Sequence, residues 1–174
     1  MPTQEFVDKY EAANTPLFCE REDCVALWLG NFESADALDE YIDTKYQDEK
    51  GFAKHLKDLF KPENENRPFE NDLKQFFSDF YNVFEYDFGL VSDDDFIEAE
   101  VFPQATDKFG VLLSPFSFSE QTIPLFEEQF GLTADKPYNT VIMLFNLEYH
   151  GQVTAVDHGN LQVKFIGNAL VPQP

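Results

Sequence analysis

Seven residues, Cys24-Val25-Ala26-Leu27-Trp28-Leu29-Gly30, constrain the fold of this chain more than any others. An apolar run of this length, stopped by a glycine, reads as a buried strand over about Val25 to Leu29. It carries the only tryptophan of the protein, which this placement assigns to the core or to support of the strand end. A helix is expected at once, over Ser34 to Gln47, because Leu38, Tyr41, Ile42 and Tyr46 recur at helical spacing. Ser34 is its natural N-cap, and Asp36 suits the positive end of its dipole.

The rest of the chain predicts further elements. A short helix is expected around Glu5 to Ala13 and another from Gly51 to Phe60, with Lys61 to Pro68 a flexible loop by composition. Leu73, Phe76, Phe77, Phe80 and Phe84 fall on one helical face and predict a core-facing stripe. Val111 to Leu113 reads as a short strand or bridge. Glu120 to Phe130 reads as a helix stopped by Gly131, with Ser117 and Glu120 spaced as a capping box and Pro124 in the first turn or at a kink. Thr140 to Leu147 reads as a central strand, and Leu161 to Ile166 alternates as a half-exposed one. Helices precede strands rather than alternating with them. The expected fold is therefore α+β: one domain over 1–174, with a small, mostly antiparallel sheet packed against several helices. Residues 1–23 form a polar N-terminal segment and 61–68 a loop.

Twenty phenylalanines in 174 residues supply a ring-filled core that needs no metal or disulfide. Thirty-three acidic residues face twelve basic ones, a formal charge of −21. Such a field disfavours nucleic acid and anionic membrane and favours a basic protein partner. Cys19 and Cys24 are one close pair, which makes neither a disulfide framework nor a zinc site. The N-terminal residues show no signal peptide, and no apolar run approaches the ~20 residues that span a bilayer, so a cytoplasmic location is expected.

Catalytic patterns are weak. Asp157 and His158 beside Glu148 and His150 are the one group with metal-ligand residue types, but their spacing matches no zinc pattern, and turns use such residues for their own hydrogen bonds. Asp94 or Asp95 with Glu98 and Glu100 suggests a magnesium-dependent nuclease, yet the surrounding charge repels that substrate. No catalytic residue, metal or cofactor is expected. The acidic groups make better sense as contact surface. Asp36, Asp39, Glu40 and Asp43 form a stripe opposite the apolar face of the first helix. Like charges at that spacing disfavour a helix by about 0.2–0.5 kcal/mol per pair. Asp93, Asp94, Asp95 and Glu98 form a second group, in which the aspartates also suit a helix cap.

Several short motifs, taken in order, resemble the Immunity protein 22 family. They are Trp28-Leu29-Gly30, the helix through Tyr41 and Tyr46, Asp87-Phe88-Gly89, and Asp94-Asp95-Phe96-Ile97-Glu98. Ser117-Phe118, the Val141 to Leu147 strand and Phe165-Ile166-Gly167 follow, giving coverage of about residues 24 to 170. Lys61 to Pro68 departs from the pattern as an insertion. The resemblance implies a non-enzymatic bacterial protein that binds and neutralises a cognate toxin. The acidic charge directs this towards a basic, nuclease-type toxin, met by the two carboxylate groups above. Rival readings are an acidic nucleic-acid mimic, an adaptor for basic proteins and, more weakly, a small metal-dependent hydrolase. No oligomeric state is implied.

Overall fold

The computed structural model describes residues 18–43, 45–46, 80–81, 83–90, 94–151 and 153–171. The expected helices at Glu5 to Ala13 and Gly51 to Phe60, the loop at 61–68, the residues Leu73, Phe76 and Phe77, and Asp93 lie outside them.

The apolar run forms the middle of β1, Phe18–Phe32. Its side chains alternate between two cores. Ala26 and Trp28 enter one cluster, while Val25, Leu27 and Leu29 enter another on the opposite side. A strand buried on both faces has no position for a polar residue, which is why this run is uninterrupted. β1 sits at the centre of a five-stranded antiparallel sheet with β4 (Ile97–Lys108), β5 (Thr133–Tyr149), β6 (Ala155–Asp157) and β7 (Leu161–Leu170). The strand order is β4-β5-β1-β7-β6. A separate short pair joins β2, Lys45–Tyr46, to β3, Phe80–Tyr81.

Four helices flank the sheet among the described residues: α1 (Ala35–Ile42), α2 (Val83–Phe88), α3 (Phe109–Leu112) and α4 (Ser119–Phe130). α1 and α2 cover the first face, packing Leu38, Tyr41, Phe84 and Phe88 on Trp28 and Ile142. α3 and α4 cover the second, with Phe109, Leu112 and Phe126 on Leu27, Val141 and Met143. The expectation of a small sheet among several helices is corrected here. Among the described residues strand accounts for roughly 51% and helix for 29%, so the sheet is the body of what is described.

Gly30 shows why the run ends as it does. A Cβ there would lie 2.5 Å from the backbone oxygen of Gln162, so only glycine lets β1 and β7 pair at this register. Gly167 plays the matching part at a bulge in β7, where Leu27 pairs with Gly167 but Trp28 with Phe165. The bulge turns Phe165 to the first core and Ile166 to the second, and the bare glycine admits the Phe130 ring from α4.

Several expected boundaries move. β1 begins at Phe18, inside the segment expected to be merely polar. Its residues 18–20 pair with Leu147, Glu148 and Tyr149, and a backbone ladder of this kind needs no apolar side chains. α1 is capped by Ser34 as expected, the hydroxyl accepting from the Ala37 N–H at 3.1 Å, but it stops at Ile42. Tyr46 instead belongs to β2, where strand pairing with Phe80 overrides the helical spacing. The same pairing divides the phenylalanine stripe: Phe80 is in β3, and the helix resumes only at Val83. α2 then ends at Gly89, whose φ is 67°, with the Leu90 N–H bonded to the Glu85 carbonyl in a Schellman closure.

The segment 111–113 is helical rather than a strand, because Phe109 and Leu112, one turn apart, both bury in the second core. α4 starts after Phe118, with no side-chain cap, and the expected capping box is absent because Ser117 is bonded to Glu98. Pro124 lies in the second turn of α4, where its ring cannot donate to the Glu120 carbonyl.

Candidate functional site

Asp36, Asp39, Glu40 and Asp43 all stand exposed, the first three along the solvent side of α1 and Asp43 as its C-cap. This face exists because Leu38 and Tyr41 take the opposite side into the core. The second acidic group is not on the same face of the sheet. Glu98 pairs in register with Met143, a residue of the second core, whereas Ile97 and Ala99 pack on the first. Glu98 therefore projects on the side opposite α1. Its Oε2 accepts from the Ser117 N–H at 3.1 Å and its Oε1 from the Ser117 hydroxyl at 2.7 Å. Asp94 opens the 3-10 turn Asp94–Phe96, and Asp95 is exposed. Asp95 and Glu98 thus lie on the face opposite the α1 carboxylates, but both sets border one element: α1 packs against β4, and Glu98 belongs to β4, an edge strand.

Asp95 and Glu98 line a cleft of about 440 Å³ on the second face, together with Glu22, Asp23, Phe96 and Phe118. Two backbone outliers frame it. Asn146 has φ 61° in the middle of β5, where it alone faces residues 21–24 of β1. Phe118 has φ 59°, a conformation that bulky residues rarely adopt, and its ring is 58% exposed. In the sequence Glu22 and Asp23 belong only to a polar segment. The sequence marks Phe118 only as part of the Ser117-Phe118 motif, and Asn146 only by its place in the Val141 to Leu147 strand and the tolerance of asparagine for a left-handed backbone.

The histidines separate instead of converging. His158 Nε2 lies 2.6 Å from Asp87 Oδ2, and the Tyr41 hydroxyl donates to the same oxygen at 2.7 Å. His150 Nε2 instead pairs with Glu148 Oε1 at 2.7 Å. Asp157 serves the turn, accepting from the Gly159 N–H and from the Gln162 amide. No group of three His, Cys, Asp or Glu that could hold a metal ion occurs among the described residues. The Asp87 network was not visible in the sequence, because its three members lie on three elements.

The β1 bulge also projects Arg21 onto Glu148 Oε2 at 2.8 Å and Asp23 Oδ1 at 3.0 Å. The Arg21 hydrogen bond holds the Glu148 carboxyl below its ordinary range, against burial and with help from His150. A depressed carboxylate stabilises the fold above its unfolded pKa, near 4.5, and that contribution disappears as pH falls through the folded value. Arg21 is exposed, so solvent screening keeps the contribution of the pair small. Glu148→Gln is accordingly expected to lower the melting temperature slightly at pH 7, and the gap to wild type to close below about pH 4.5. Melting curves at stepwise pH check this; a gap that widens in acid contradicts it.

Among the described residues no helix is long and apolar enough to cross a membrane. No curated protein and no solved structure matches the chain. The Immunity protein 22 family does match, over residues 25–170, nearly the span over which the sequence motifs resemble it. That match takes in the Trp28-Leu29-Gly30 strand end, the acidic face of α1, the Asp87 network and most of the cleft, and on it the chain belongs to the Immunity protein 22 family.

Proposed function

We propose that this protein neutralises a cognate bacterial toxin by binding it inside the cell, and that the toxin domain is basic and of nuclease type. Family membership implies toxin neutralisation in general, and immunity proteins generally act without catalysis. The observation that carries the finer reading is the charge of −21, with acidic groups on both sides of one edge strand. A nuclease cleft is built to receive phosphate, and carboxylates on Asp36, Asp39, Glu40 and Asp43, with Asp93, Asp94, Asp95 and Glu98, suit its Arg and Lys residues. A partner that straddles β4 meets both groups. An acidic nucleic-acid mimic would share the charge but not the single partner.

The test is affinity capture at low and high salt, followed by growth of cells expressing the captured toxin domain with and without this protein. One stoichiometric partner that survives high salt, with growth restored, supports the reading; many basic partners all released by salt would falsify it in favour of mimicry. Reversing Asp36, Asp39, Glu40 and Asp43 to lysine is expected to slow association by about 10–10³-fold at low salt. Unchanged kinetics with an intact fold remove α1 from the interface.

A further inference from the structure

The cleft beside Glu98 combines features that a solvated acidic patch does not have. It is concave, its volume of about 440 Å³ lies in the range of sites that enclose a ligand group, and exposed aromatic rings line it beside carboxylates. Phe118 and Phe96 are 58% and 42% exposed, Phe118 more than any other described phenylalanine. Phe118 is held in the left-handed region, a strained conformation that persists where the surroundings impose it. The Phe145 ring, 5.9 Å away, supports it from the cleft floor.

Glu22, Asp23, Asp95 and Glu98 add four carboxylates, with no Lys or Arg among the described lining residues. A carboxylate offers about four acceptor sites, so Asp23, which takes Arg21, and Glu98, which takes Ser117, can each accept a further donor. Apolar ring faces and carboxylates in one concavity are complementary to a planar cation with an apolar stem. Arginine meets both demands, because its guanidinium stacks on aromatic faces while its fork donates to carboxylates.

We infer that this cleft receives an arginine side chain of the toxin, anchored between Phe96 and Phe118 and the surrounding carboxylates. The inference rests on the toxin-binding reading and assigns its anchor point.

The experiment titrates the full-length, ¹⁵N-labelled protein with N-acetyl-arginine methylamide, using the lysine counterpart as control. Expected are amide shifts confined to the surroundings of Phe96, Phe118 and Asn146, larger for arginine than for lysine. Phe118→Asn keeps a residue that tolerates the left-handed backbone, so its melting temperature stays at or above wild type while arginine affinity falls about two- to tenfold. Phe96→Ala repeats the loss from the other side. Shifts spread equally over α1, or an affinity untouched by both variants, overturn the inference. Growth protection that Phe118→Asn leaves intact overturns the cleft alone; absence of protection by the wild type overturns the toxin reading instead.

Discussion

Trp28→Ala is expected to cost about 3–5 kcal/mol, the range for deleting a large ring from a packed core. Trp28 is fully buried, and four aromatic rings surround it: Phe84 at 5.0 Å, Phe165 at 5.1 Å, Tyr149 at 5.3 Å and Phe88 at 5.6 Å between centroids. These come from α2, β7 and β5, so the indole joins a helix to two strands. Domains are stable by only about 5–15 kcal/mol, and this loss removes a large part of that margin. Urea denaturation followed by far-ultraviolet circular dichroism measures it. Trp28→Phe separates packing from polarity. The indole Nε1 has no hydrogen-bond partner among the described residues, so phenylalanine forfeits volume but no hydrogen bond. Its cost should fall well below that of alanine. A Trp28→Ala protein with unchanged stability would reassign the indole from core to contact surface.

What was legible in the sequence follows from the range of the forces involved. The β1 run, the Ser34 cap, the Gly131 stop and the order of the family motifs are local patterns, written in adjacent residues. Tyr46 and Phe80 fit helical spacing yet pair across β2 and β3, a non-local contact that helical spacing cannot register. The cleft was half visible. Asp95 and Glu98 stood out as charge, but Glu22 and Asp23 reach it only through a β1 bulge set by pairing with β5. The placement of the two acidic groups on opposite faces depends on strand phase. A shift of one residue in β4 would have turned Glu98 towards α1.

Removing the carboxylate of Asp87 is expected to be nearly as costly as removing Trp28. The side chain is fully buried on α2, and one oxygen holds both the Tyr41 hydroxyl of α1 and His158 Nε2 of the turn after β6. Asp87→Ala strips both groups of this acceptor at once, at an expected cost of about 1–3 kcal/mol for each group left without its partner. Asp87→Asn preserves shape and an acceptor oxygen, and should lose less. Tyr41→Phe removes one hydrogen bond to a charged group, about 1.5–3 kcal/mol, because its ring still packs on Phe32 and Phe84. The decisive number is the coupling between the two sites. If the network is shared, Tyr41→Phe costs much less in the Asp87→Ala background than in wild type. Strict additivity in urea denaturation would mean that the two side chains act separately. Since α1 carries Asp36, Asp39, Glu40 and Asp43, the same network also anchors the acidic face of α1 to the sheet.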